Sequence, residues 1–463
     1  MRTAFSALVC CFCAYSLVGC GSDDKEEQPA SCNYTEQSGC KDGQVCEQLD
    51  DDSAKTGCFA PVVVEGKVVR LDDPDVGVEG ARVLARDENG ASVSDIAVSS
   101  ADGSYQLKVP AARKADGTPV LPELLLRADA AGFATFPGGL RVAIPVDVAT
   151  PTKNDAGYHV SNASTTVALD ELADTSGLGT VSGKVLAKNP SGTLVVAGAA
   201  TGVSDSDGTY VLFNVPAGDY DVRGYRQGLS LDAAAASVAA GEETKGIDLS
   251  ASDAALGVVN GTLSFVNATA KTTSVVLVVE STFSDALERG EVPQGLRAYP
   301  VTGPYSFEGV PAGDYVVLAA FENDDLVRDP DMAIGGTSIQ HVGVAGAAVD
   351  VAGFKITGAL GVVSPGADGA EPVSGDISFN WDDDSSEDGY EVTVLDTFGE
   401  QVWQDLNVPN VSGSSTVTLA YGGDPLAPGY YQFRAVSYRQ QKNSQTRTHI
   451  SATEDLKGVF IVE

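Results

Sequence analysis

One pattern recurs three times along the 463 residues and constrains the fold more than any other feature. Three segments open alike: Val64-Glu-Gly66-Lys-Val68, Val181-Ser-Gly183-Lys-Val185 and Val259-Asn-Gly261-Thr-Leu263. In each, apolar residues flank a glycine at alternating positions, so they face one side of a strand. A second signature follows in each unit. It reads Asp102-Gly103-Ser104-Tyr105 then Val109-Pro110-Ala111, and Asp207-Gly208-Thr209-Tyr210 then Val215-Pro216-Ala217-Gly218-Asp219-Tyr220. The third version is Gly303-Pro304-Tyr305 then Val310-Pro311-Ala312-Gly313-Asp314-Tyr315. Physically this is turn, strand, turn, strand. Asp-Gly supplies the positive φ of a tight turn, and proline presets φ in Val-Pro-Ala-Gly. A fixed order of such signatures identifies repeated structural units.

From Val62 onward, helical periodicity nearly vanishes. Short runs of Val, Leu, Tyr and Thr alternate with Gly, Asp, Asn and Pro punctuation, which reads as all-β, tandem β-sandwich domains. The Ala-rich stretch Leu231 to Ala240 fits strand or helix equally by pattern.

The repeat resembles the carboxypeptidase regulatory-like domain, a transthyretin-like β-sandwich. The resemblance covers residues 62–175, 178–251 and 255–357. Two departures stand out. The first copy replaces the Gly-Asp-Tyr ending by Arg113-Lys114-Ala115-Asp116-Gly117, which reads as a longer loop. The third lacks the aspartate before Gly303 and has a longer middle, Glu280 to Thr302. Residues 358–463 differ: Ile377-Ser-Phe379-Asn-Trp381, Gly389-Tyr390-Glu-Val392-Thr-Val394 and Leu426-Ala-Pro428-Gly429-Tyr430-Tyr431 resemble a fibronectin type III sandwich. That resemblance implies a core of Trp381 and Tyr390, and a tyrosine corner in the Leu-x-Pro-Gly-x-Tyr segment.

At the other end, Met1-Arg2 precedes an apolar run from Ala4 to Leu17 that is short for a membrane span and fits a secretory signal. Leu17-Val18-Gly19-Cys20 resembles a bacterial lipoprotein box. It implies a signal peptide over 1–19, a lipid on Cys20, and a lipid-anchored protein of the bacterial cell envelope at the outer membrane, periplasmic or surface-facing. Residues 20–31 are polar and charged, as in a flexible tether. Cys10, Cys11 and Cys13 would leave with the signal.

Cys32, Cys40, Cys46 and Cys58 remain in a module spanning 32–59. An exported setting predicts two disulfides, with three pairings open. The rival is a zinc site, but these spacings lack the tight C-x2-C knuckles of zinc modules. So small a module depends on its bridges as staples.

The chain has 64 acidic and 29 basic residues, a formal charge of −35. Such a surface repels phosphate backbones, which excludes nucleic acid as a natural partner, and it leaves membrane attachment to lipid. His159, His341 and His449 are isolated and outside any zinc-protease motif. No nucleophile elbow, phosphate loop or dinucleotide fingerprint occurs. No catalytic residues are assigned, and the chain reads as a non-enzyme.

Two binding chemistries remain. Hard oxygens gathered in loops suit calcium. The acidic clusters are Asp50-Asp51-Asp52, Asp72-Asp73-Pro74-Asp75, Asp205-Ser206-Asp207-Gly208, Asp329-Pro330-Asp331 and Asp382-Asp383-Asp384. The last, with Glu387 and Asp388, joins two strands and is the preferred Ca2+ candidate; Asp205 to Gly208 reads as a hairpin turn. Trp403, Tyr421, Tyr430, Tyr431 and Tyr438 offer a sugar platform or, with greater weight, core packing. The expected role is a non-catalytic scaffold for adhesion or protein interaction, with units strung like beads. Its partners are surface proteins or glycans. The alternative is a carbohydrate-binding or sensing accessory to an enzyme on another chain.

Overall fold

The computed structural model describes residues 32–462 apart from 35–36, 88–89, 123, 140, 142, 144, 149–150, 155–156, 286, 320–324, 329–338, 385, 397–399, 443–445 and 455–456. The signal segment, Cys20, the tether and the Asp329–Asp331 cluster fall outside the described residues. The chain is an all-β protein of tandem β-sandwiches behind a small disulfide module. Among the described residues, no helix is long and apolar enough to cross a membrane.

The three repeats share one sheet topology. The opening strands are Val62–Arg70, Leu178–Leu186 and Gly257–Phe265. Each pairs antiparallel with the tyrosine strand, Ser104–Val109, Thr209–Pro216 or Pro304–Val310. Its other edge pairs parallel with two short strands in succession: Gly157–Val160 and Thr166–Leu169, Glu243–Thr244 and Leu249–Ser250, Ala348–Asp350 and Phe354–Gly358. A second sheet closes each sandwich. In the second repeat it has strands from Leu194–Ala197 to Ala234–Val238, so the Ala-rich stretch is a strand.

The register explains the sequence signature. Gly66 lies directly opposite Tyr105, Gly183 opposite Tyr210, and Gly261 opposite Tyr305. The glycine leaves room for the tyrosine ring to cross the backbone: a Cβ on Gly66 would sit 2.6 Å from the Tyr105 hydroxyl. That hydroxyl donates to the Thr165 carbonyl at 2.6 Å, and Tyr210 donates likewise to the Ile247 carbonyl. Both carbonyls lie at the gap between the two parallel edge strands. In the third repeat the Tyr305 hydroxyl is buried without a partner.

The Asp-Gly turns behave as their chemistry dictates. Gly103 and Gly208 have φ of +80° and +84°. Gly303, which lacks the preceding aspartate, is outside the positive-φ set and has open space around its α-carbon. Tyr220 and Tyr315 of the Gly-Asp-Tyr endings donate to the carbonyls of Pro216 and Pro311, four residues upstream, at 2.8 and 2.9 Å. Tyr431 makes the same bond to Ala427 at 2.9 Å in the last sandwich. There Trp381 and Tyr390 are fully buried in the core beside Phe379 and Phe433.

Candidate functional site at the domain junctions

The sandwiches are docked against one another rather than strung as separate beads, because buried polar and apolar groups cross every boundary. The bulge before each Val-Pro-Ala-Gly turn is one docking element. Asn214 occupies it with φ +57°. Its side chain reaches the first sandwich, accepting from Gly132 N at 2.7 Å and donating to the Ala130 and Phe133 carbonyls at 3.0 and 2.8 Å. In the third sandwich the bulge residue is Gly309, φ +68°, whose carbonyl accepts from Gly228 N of the second at 2.8 Å.

The second and third sandwiches also share apolar core. Strand Leu194–Ala197 is buried on both faces. Val195 and Ala197 point into their own sandwich, whereas Leu194 and Val196 join the third core with Tyr225. Tyr225 meets Tyr315 edge-on, centroids 5.8 Å apart. A Cβ on Gly313 would strike the Tyr225 ring at 2.7 Å, so the docking itself calls for glycine at this position.

Both departures from the repeat are tie points. In the first copy, the Arg113 guanidinium is 1% exposed and bonds the Glu47 carboxylate of the disulfide module, itself 2% exposed. Arg113 also donates to the Ala60 carbonyl at 2.7 Å and lies over the Phe59 ring. Burial pushes the Glu47 carboxyl above its ordinary range against the pull of Arg113. In the third copy, the long middle runs from Phe283 to Leu296 and packs Phe283 and Val292 over the outer face of its own sheet. Its remaining groups reach the other sandwiches. Glu291 bonds Arg127 of the first, and its other oxygen lies 3.7 Å from Arg86. Arg289 donates to the Gly139 carbonyl at 2.8 Å, and the Gln294 carbonyl accepts from Gln227 N at 3.0 Å. The Leu287 carbonyl accepts from Arg434 of the last sandwich at 3.0 Å, while Leu287 packs on Leu395.

Charge is balanced at this meeting point. Arg127 is fully buried and bonds Asp129 twice, at 2.8 and 2.9 Å, and Thr201 of the second sandwich at 3.0 Å. Arg127 and Arg86 thus face Asp129 and Glu291, and Arg82 also feels the charge of Asp129. Burial works against the Glu291 carboxylate, but Arg127 and Arg86 outweigh it and hold its pKa below the ordinary value. Burial, with Arg127 alongside, pulls Arg86 down to about 10.

The cysteines pair as Cys32–Cys46 and Cys40–Cys58, one of the three possible pairings. Three of their sulfurs lie within 4.8 Å of one another, but each is bonded in a bridge and offers no thiolate to zinc. Each histidine meets a separate carboxylate: His159 with Glu65, His341 with Glu280 and His449 with Glu391.

The structure separates the three preferred calcium ligands. The Asp382 carboxylate lies over Gly361, Asp383 accepts from the Tyr390 hydroxyl at 2.9 Å, and Asp384 accepts from Ser386 and Ser437 at 3.0 and 2.7 Å. Among the described residues, no three carboxylates offer oxygens within 4.8 Å of one another. Asp207 serves its turn, accepting from Thr209 and Lys184, which holds its pKa at about 2. Asp72 is bound by Arg70, and Asp52 by Lys55. Of the aromatic set, Tyr431 and Tyr438 are buried. Trp403 and Tyr421 are half-buried at the core margin, their rings tilted by 59°, so they present no common flat face. Tyr430 is covered by Arg141 of the first sandwich, 5.3 Å from its ring centre. An open groove of about 660 Å³ crosses the first sandwich beside Glu65, Lys67, Gln106 and Asn162.

No protein-family model matches the chain. No curated protein matches it either. Solved structures overlap the chain only loosely. The Bacillus anthracis TIE protein is 13% identical over 87% of this chain and 73% of that one, TM-score 0.16. The major pilin subunit of Bacillus cereus is 10% identical over 64% and 99%, TM-score 0.17. A tetra-tandem repeat from the extending region of a large adhesion protein is 14% identical over 87% and 100%, TM-score 0.15. Overlaps this loose do not speak to function.

Proposed function

We propose that the chain is a lipid-anchored, extracytoplasmic scaffold that displays a fixed array of sandwiches for adhesion or protein interaction, without catalysis. The observation that carries this reading is where its most deeply buried charges lie. Arg113 with Glu47, and the fully buried Arg127 with the partly exposed Glu291, join separate structural units, while Asp129 holds Arg127 within the first sandwich. Fixed relative placement is what a presenting surface needs, because loops and strand edges then face a partner in one arrangement. The three repeats are read as transthyretin-like sandwiches and the last as fibronectin III-like, on their sequence signatures and shared topology. The acidic surface favours lipid over charge as the means of membrane attachment.

The anchor is tested by Cys20→Ala. Metabolic labelling with a radiolabelled fatty acid is expected to disappear, and the protein to leave the membrane fraction. Unchanged labelling would remove the anchor from the account. The scaffold role is tested by passing the soluble part, Gly21 to Glu463, over cell-surface proteins and glycans. Saturable capture of a surface partner without turnover is the expected result.

A further inference from the structure

The loop between strands Ser378–Asp382 and Gly389–Asp396 holds a carboxyl, Glu387, that the Tyr390 hydroxyl and a backbone N–H answer only in part. Glu387 is 8% exposed, and its Oε2 is buried without a hydrogen-bond partner. Asp383 and Asp384 stand close enough to repel it. Uncharged donors meet this loop's other carboxylates: the Tyr390 hydroxyl on Asp383, serine hydroxyls on Asp384, and Gln440 N on Asp388. Arg439 spends its Nε on the Ser386 carbonyl, at 2.7 Å. A buried carboxylate oxygen with no donor, facing like charge, is costly unless a proton or a cation meets it.

The geometry points to a weak calcium site centred on Glu387 Oε2 and completed by the Asp383 carboxylate, loop carbonyls and water. Calcium takes six to eight oxygens in flexible geometry, so two carboxylates with neutral oxygens suffice. Ligand charge sets affinity. With no three carboxylates converging, a dissociation constant of about 10⁻⁴–10⁻³ M is expected, the range of extracellular modules. Asp384, tied to Ser437 and to the Tyr390 hydroxyl through its backbone N–H, holds the loop in place and is not counted as a ligand.

The test uses terbium, which occupies calcium sites and emits when excited through nearby aromatic rings. Tyr390 lies at the site, and Trp381 packs 5.4 Å from it. Intact protein is expected to give saturable terbium emission that calcium displaces in the stated range, and Glu387→Gln to weaken both metals at least about tenfold. Emission unaffected by calcium, or equal in the variant, overturns the proposal. Should the variant not fold, hydrogen exchange of wild type decides: calcium must protect peptides within 378–396 selectively. Protection spread evenly over the acidic surface overturns the site.

Discussion

Glu291 closes on Arg127 across 164 residues of sequence, joining the third sandwich to the first. Arg127 is fully buried and Glu291 partly so, and each partner is shared: Arg127 with Asp129 and Thr201, Glu291 with Arg86. Removing Glu291 leaves Arg127 with Asp129 as its remaining carboxylate and takes from Arg86 the carboxylate beside it. The relationship therefore matters more through the penalty for breaking it than through its net gain.

Glu291→Gln is expected to lower stability by about 3–5 kcal/mol, measured by urea unfolding at neutral pH. The pH dependence has a definite sign. Glu291 titrates below its ordinary value in the folded chain, so its contribution is present above the ordinary carboxylate range. It is lost as pH falls through the depressed folded value. The glutamine variant should lack that part of the acid limb; an identical limb in both proteins would contradict the assignment.

The cross-strand tyrosines make a paired prediction. Tyr105→Phe removes the hydroxyl that serves the Thr165 carbonyl and is expected to cost about 1–3 kcal/mol. Tyr305→Phe removes a buried hydroxyl with no partner and should be neutral or stabilising. Hydrogen exchange of strands Val62–Arg70 and Gly257–Phe265 reads the two effects separately. The reverse ordering would show that the glycine–tyrosine pairs are not equivalent.

The disulfide pairing is checked by mass spectrometry of unreduced peptides, which should recover Cys32 with Cys46 and Cys40 with Cys58 and no free thiol. The bridges join residues 14 and 18 apart, so each is worth about 3 kcal/mol by loop closure. Recovery of Cys32 linked to Cys40 would refute the fold of the module.

The strands and turns were legible because their signals are local. Asp-Gly, Val-Pro-Ala-Gly and alternating valines each report a few neighbouring residues, and Tyr431 follows from Leu-x-Pro-Gly-x-Tyr. The partnership of Gly66 with Tyr105 is a register, visible only once the two strands are aligned. The docking of the sandwiches was not legible. Arg113 and the Glu280–Thr302 stretch read as loops longer than the repeat pattern, because nothing local records that Glu291 meets Arg127 or that Asn214 meets Gly132. The aspartates of 382–384 read as a cluster by adjacency, yet Asp382 ends its strand, Asp383 and Asp384 lie in the loop beyond it, and separate hydroxyl partners draw those two apart.

The central claim is that docking fixes the sandwiches relative to one another. Its most direct test is a pulsed electron–electron distance measurement between spin labels at Val98→Cys and Ser306→Cys, exposed sites on the first and third sandwiches. One narrow distance distribution is expected in the otherwise wild-type chain, broadening markedly when Glu291→Gln is added. A broad distribution already present with Glu291 intact would contradict the account and restore independent beads.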